Sequence, residues 1–301
     1  MTKPVLQILQ PGLGATIQDG GRPGWRRFGV PVSGAMDGHA ALWANRLVGN
    51  APEAPVAEFL LQGARLIVLR EVWLAVTGAD AFATVSTWRP VQVEAGDVIS
   101  FPHNRSGTWF YLAIAGGLAA DRILGSASTY ARGKLGRMLT AGDLLFRAAE
   151  TTFHLPEGVA GQRPPAMECR DYSFPPRLRV WPGPQFDRFS AAERTRFFAQ
   201  PWRVSSQSDR VGYRLEGQPL ESHSYQLISE PVRLGTIQVP ESGQPIVTMR
   251  DGPTVGGYPK LGVLESAELS WLAQCRPGQE IRFQLVDEAA TAGNLPDIGH
   301  P

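Results

Sequence analysis

A mostly β protein is what this sequence predicts, on three observations. Its apolar segments run about five to eight residues and end at Gly, Pro or Asp. Its 33 glycines and 25 prolines fall between those segments instead of clustering, as turns between short strands require. Helical periodicity is confined to three short stretches, so the regular alternation of strand and helix that builds a doubly wound α/β fold is missing.

Strands are expected over residues 5–9, 65–69, 72–77, 110–115, 178–180, 245–249 and 281–286. Three hairpin-like signals share one form: Glu94-Ala95-Gly96-Asp97, Thr140-Ala141-Gly142-Asp143 and Arg276-Pro277-Gly278-Gln279. In each, a glycine supplies positive φ before the chain re-enters an apolar run. Their recurrence suggests two related β units. The first helix is expected over 37–48, capped by Asp37, with Ala40, Trp43, Ala44 and Leu47 at helical spacing and Gly49 ending it. A second runs over 190–198, where Ser190 and Glu193 form a capping box, and a third over 266–274 stops before Pro277. Trp43, Trp73 and Trp271 read as core. The polar segment 156–173 reads as a linker between a domain over 1–155 and another over 174–288, with 289–301 a frayed tail.

Composition narrows the function. Lys plus Arg number 29 against 28 for Asp plus Glu, which gives no electrostatic case for nucleic acid or an acidic membrane surface. The apolar stretch over 5–9 ends at Pro11, too short for a signal-peptide core, and no run is long enough to span a bilayer. A cytoplasmic location is expected. Cys169 and Cys275 lie far apart and read as reduced, buried thiols.

Familiar motifs fail. Gly12-Leu13-Gly14 lacks the third glycine of a dinucleotide loop, and Gly133-Lys134 is followed by Leu135 where a phosphate loop needs Ser or Thr. The five histidines form no HxH, HxxxH or HExxH pair, so no metal site is expected, and no serine lies in a GxSxG elbow.

Four polar, glycine-rich clusters remain, each denser than a turn needs. The first is Gln18-Asp19-Gly20-Gly21-Arg22-Pro23-Gly24, continued by the stretch from Gly29 to Asp37. The second runs from Gly125-Ser126-Ala127-Ser128-Thr129 to Arg137. The third runs from Ser208-Asp209-Arg210 to Leu215. The fourth runs from Gly235 to Pro240, then from Asp251-Gly252-Pro253 to Tyr258-Pro259-Lys260. Together, and in this order, they resemble the allophanate-hydrolase-subunit-2 family, also called KipA or PxpC and described as biotin-dependent carboxyltransferase-like. The resemblance extends from about Leu6 to Val286. Three positions depart from it: Ala127 stands where the family usually has Arg, Tyr130 where it has Asp, and Val255 where it commonly has Thr.

The resemblance implies two cyclophilin-like β-barrel domains and a partner of the KipI or PxpB type, with a further partner of the PxpA type. It implies three activities: ATP-dependent 5-oxoprolinase, which opens the lactam of 5-oxoproline to glutamate; the carboxyltransferase part of a biotin-dependent urea carboxylase; or non-catalytic regulation of a KipI-type inhibitor. The chain carries no biotin attachment site, which favours the first. ATP is the expected cofactor, on a non-standard site or on the partner, and an oligomer acting on a small molecule is the expected form.

Lactam opening needs a carboxylate clamp, for which the arginine fork is suited; Arg210 and Arg137 are the candidates. Asp251, after an apolar strand, is the candidate general base, and Lys260 the group that meets developing negative charge. Tyr258 is expected to wall the pocket and Gln238 to point into a barrel. Ser126 and Ser128, with their glycine neighbours, are expected to form an anion-binding nest. For each, a purely local role in turn, cap or ion pair stands as the alternative.

Overall fold

The computed structural model describes residues 3–155, 161–221 and 227–286. The tail expected over 289–301, and the first five residues of the expected linker, lie outside them. Among the described residues the fold is mostly β, with three α-helices.

Every described strand of the first half lies between Pro4 and Phe146, in two sheets. One has the order Val98–Ser100, Ala64–Val68, Pro4–Pro11, Leu144–Phe146. The other has the order Ala15–Gln18, Val56–Leu60, Ser106–Ile114, Val72–Asp80, Pro90–Val93. All pairings in both are antiparallel. Between 178 and 285 eight strands form one sheet whose outermost members, Glu280–Ile281 and Phe283–Leu285, are consecutive in sequence. That sheet is therefore a nearly closed barrel. A separate two-stranded ribbon pairs Glu230–Pro231 with Val255–Gly256.

The strand Ser106–Ile114 explains how the halves fit together. All nine of its residues are buried, which a strand achieves only when both faces are covered. Its side chains alternate: Phe110, Leu112 and Ile114 enter a core belonging wholly to the first half, where Phe101 and Phe110 stack at 4.3 Å. Trp109, Tyr111 and Ala113 enter a second core. That core also holds Ala40, Ala44 and Leu47 of the helix Gly38–Leu47 together with Val180, Trp202, Leu215, Ile237 and Phe283 from the barrel. The five-stranded sheet is thus a middle layer, and the two halves share a core. The segment 161–173 is held down as well: Tyr172 is buried and donates to Asp37 at 2.8 Å, and Trp43 donates to Glu168 at 3.2 Å.

Local chemistry sets the element ends. Asp37 caps its helix by accepting from Ala40 N at 3.0 Å. Ser190 caps the helix Ala191–Ala199 by accepting from Glu193 N, but the capping box is half made. Glu193 turns away to Arg196 and to Glu221 N instead of returning to the cap. The three turn signals share one geometry. In each, the fourth residue's side chain accepts from the first residue's N–H: Asp97 from Glu94, Asp143 from Thr140 and Gln279 from Arg276. In each, the glycine has positive φ and donates to a neighbouring strand, at Val68, Ile8 or Val204. None of the three closes a hairpin, however. The first carries the chain from the five-stranded sheet into the four-stranded one. The second leads into Leu144–Phe146, which pairs with Pro4–Pro11, and the third follows the helix Glu268–Gln274.

Candidate functional site

Strand parity places a carboxylate at the junction of the halves. In Val56–Leu60, Ala57 and Phe59 face the first core, so Glu58 shares the opposite face with Val56 and meets the second half. Glu58 is 1% exposed and accepts from Arg210 Nη1 at 2.6 Å, Tyr111 Oη at 2.9 Å and Met36 N at 2.7 Å. Burial pushes its carboxyl up, and Arg210 opposes that. Arg210 forks onto Asp251 through Nε at 2.8 Å and Nη2 at 3.3 Å, and also donates to Gly34 O at 2.8 Å. Burial disfavours its charge, but Glu58 and Asp251 outweigh that and hold the guanidinium firmly protonated. Tyr111 Oη accepts from Asp37 N, and its phenol is pushed up by burial and by Glu58.

Asp37 and Gln274 extend this network. Beyond its cap, Asp37 accepts from Tyr172 Oη and from Gln274 Nε2 at 2.9 Å. Gln274, on the helix Glu268–Gln274, also accepts from Thr108 N and Trp109 N and donates to Trp109 O. Beside Arg210 and Glu58 opens a largely apolar cavity of about 400 Å³, walled by Leu60, Leu61, Trp109, Met138, Tyr213 and Cys275. Burial pushes the Cys275 thiol up to about 12, which leaves it protonated at neutral pH and unsuited as a nucleophile.

The glycine-rich clusters meet in a chain. The first touches the third and fourth where Arg210 bonds Gly34 O, where Ser33 N donates to Arg250 O, and where Arg26 donates to Val232 O and Pro253 O. It touches the second through Asp19, which accepts from Ser126 Oγ at 2.5 Å, Ala127 N at 2.7 Å, Ser128 Oγ at 2.6 Å and Gly21 N at 2.8 Å. The hydroxyls and amide around Ser126 and Ser128 thus do hold an anion, the chain's own Asp19. Those bonds outweigh the cost of burial and keep its carboxyl below the ordinary range.

Of the residues singled out from the sequence, Arg210 and Asp251 are brought into direct contact. Lys260 is buried in the barrel half, donating to Glu230 Oε1 at 2.7 Å, and its N–H donates to Gln185. Gln238, its cross-strand neighbour, is buried and donates to Thr248 Oγ1. Tyr258 is exposed. Arg137 is exposed and forks onto Asp143 at 2.6 and 2.8 Å. No side-chain hydrogen bond or ion pair among the described residues joins the Arg210, Lys260 and Arg137 groups. Asp209, next to Arg210 in sequence, pairs with Arg132. Glu58, Tyr111, Arg250 and Gln274 were not singled out. For Glu58 a signal was present, a carboxylate inside the apolar run from Val56 to Leu60. Among the described residues there is no cluster of three or more metal-ligating side chains. No described helix is long and apolar enough to cross a membrane.

Comparison with known proteins agrees with this architecture. Over 291 residues the chain is 36% identical to the 5-oxoprolinase C subunit of Escherichia coli, covering 93% of this chain and 90% of that one. It is also 36% identical to the 5-oxoprolinase C subunit of Haemophilus influenzae, covering 94% and 91%. Urea amidolyase of Saccharomyces cerevisiae is 32% identical over 92% of this chain, which spans only 16% of that protein. Among solved structures, TTHA0988 superposes with a TM-score of 0.84 at 36% identity, over 93% of this chain and 55% of that one. The Kluyveromyces lactis urea carboxylase superposes with a TM-score of 0.85 at 29% identity, over 97% and 28%. The carboxyltransferase domain model for subdomains A and B matches residues 28–285, and the chain belongs to that family.

Proposed function

We propose that this chain is the C subunit of an ATP-dependent 5-oxoprolinase, a hydrolase that opens the lactam of 5-oxoproline to glutamate and works as part of a heteromeric complex. One observation carries the reading: the 36% identity to two 5-oxoprolinase C subunits runs nearly end to end in both partners of each comparison. The urea amidolyase likeness is lower and meets only a small part of a much longer protein. The partners are proposed to be proteins of the KipI/PxpB type and of the PxpA type, and the complex to be cytoplasmic.

In this reading the substrate enters the cavity beside Trp109 and Tyr213, and Asp251 orients or deprotonates the attacking water. Arg210 fixes the orientation of Asp251 by the bidentate pair and couples it to Glu58. Lys260 lies outside the lining of that cavity, paired with Glu230, and meets developing charge only where the substrate extends to the barrel side. Two features of this chain could otherwise hold a phosphate: the nest at 126–128 and the fork of Arg137. Asp19 fills the first and Asp143 the second. Neither fits a nucleotide, so the ATP site is proposed to lie on one of the partner proteins.

The test is to purify the chain with its B- and A-type partners and assay ATP-dependent release of glutamate from 5-oxoproline. Turnover that falls at least 100-fold in Asp251→Asn supports the reading. Carboxylation of urea from carboxybiotin, without lactam opening, overturns it.

A further inference from the structure

Three arginines crowd the junction. Sealed nitrogens without a partner occur on two of them, Arg22 and Arg250, but Arg250 alone of the three makes no side-chain bond to a described residue. Arg210 is held by two carboxylates, and Arg22 donates to Ser128 O. The Arg250 side chain makes no hydrogen bond or ion pair with any described residue, and its Nε is sealed from solvent without a partner. Burial lowers the affinity of this guanidinium for its proton, and Arg210 adds to that. Glu58 and Asp37 favour its charge from a distance but touch other donors. A partly buried guanidinium whose sealed Nε has no partner is an arrangement that folding alone does not call for.

Arg250 lines a pocket of about 170 Å³. Its other walls come from the first half: Ala35, Gly38, Ala41, Pro52 and Val56, with Glu53 and Asp19 beside them. Two glycines make the space. A Cβ at Gly38 would sit 3.1 Å from Arg250 Nη2, and one at Gly20 would sit 3.3 Å from the Glu53 side chain. Asp19 is already satisfied by four donors, whereas Glu53 is exposed and makes no hydrogen bond or ion pair with a described residue. The pocket therefore offers one unengaged cation and one unengaged anion across an apolar waist.

We infer that this pocket binds a small carboxylate bearing an N–H on the adjacent carbon, the carboxylate against Arg250 and the N–H toward Glu53. Phosphate is disfavoured, because Asp19 and Glu53 would repel a second negative charge. The site itself is read from these contacts. Only the choice of 5-oxoproline as the probe rests on the function proposed above.

The full chain, alone and assembled with its partner proteins, is titrated calorimetrically with 5-oxoproline, L-glutamate, acetate and inorganic phosphate. At least one of the two N–H-bearing carboxylates binds, and Arg250→Gln weakens it by about 10- to 100-fold, the worth of a charge-assisted bond. Arg250→Gln does not lower the melting temperature, because the side chain makes no hydrogen bond or ion pair with a described residue that could be lost, while Arg250→Lys retains part of the binding. Glu53→Gln weakens the N–H-bearing ligand and leaves acetate unchanged. A lower melting temperature in Arg250→Gln, with binding intact, makes the side chain a structural one and overturns the proposal. So do binding of phosphate alone and an absence of binding in both preparations. Carboxylate binding that depends on Arg250, in a complex that does not open 5-oxoproline, keeps this site and removes the proposed function. Lactam opening that is indifferent to Arg250→Gln does the reverse.

Discussion

Glu58 and Arg210 meet at 2.6 Å across the junction, 152 positions apart in the chain, and the carboxylate's side chain is fully enclosed. Arg210 joins that carboxylate to Asp251, so one guanidinium bridges a strand of the first half to a loop of the second. Breaking such a pair from one side strands a charge in the interior. Glu58→Gln or Arg210→Met should each cost roughly 3–5 kcal/mol in urea unfolding, and the double variant should recover much of that loss. Additive losses would show that the two side chains act independently.

Asp19 should contribute to the acid limb of stability. Its carboxyl lies below the ordinary value of 3.8 because Ser126, Ser128, Ala127 and Gly21 all donate to it. The sign follows from proton linkage: a depressed acid contributes stability that is complete above its unfolded value and is lost as pH falls through the folded one. Asp19→Asn should therefore destabilise by about 2–3 kcal/mol at neutral pH and flatten the loss of stability below about pH 4. A stability–pH curve parallel to the parent's would refute this.

The Arg137–Asp143 pair gives a contrast. Arg137 holds Asp143 down at about 2, but the arginine side chain is 67% exposed. Solvent screening limits the pair to at most about 1 kcal/mol, so Arg137→Ala should hardly move the midpoint of chemical unfolding. A large loss of activity without a loss of stability would restore Arg137 to the substrate.

Gln274 satisfies two backbone amides, one carbonyl and Asp37 at once. Gln274→Leu keeps the volume and removes those partners, and should cost roughly 3–5 kcal/mol by calorimetry. Gly107 should be nearly as intolerant, since it has φ +78° and a Cβ there would lie 2.8 Å from Gln274 Oε1.

Lys260→Met separates charge from packing. The Lys260 side chain is 3% exposed, and its close partner Glu230 has a side chain 37% open to water. Replacing it by an unbranched apolar side chain should change stability by under about 1.5 kcal/mol. The same change should cut lactam opening about 100-fold if Lys260 meets developing charge. Unchanged turnover would leave it a structural residue.

Much of the scaffold was readable because its signals are local. Asp37, Ser190 and the glycine turns act within three or four residues of themselves, and they appear where the sequence places them. The site was only half readable because its contacts are not local. The nest around Ser126 and Ser128 is present, but its anion comes from a position 107 residues away from Ser126. Arg210 and Asp251 drew notice as charges in glycine-rich loops, whereas Glu58 did not, because its role depends on which face of a strand it shares. Asp37 reads as a cap and is one, but Tyr172 and Gln274 reach it through the fold alone.

The strand Ser106–Ile114 has no side open to water, and that bears on how this protein comes apart. Severed near residue 155, the first half would have to offer Trp109, Tyr111 and Val56 to solvent, and the barrel would lose the wall it closes against. Neither piece should then fold by itself. Heating should show one cooperative transition for the whole chain.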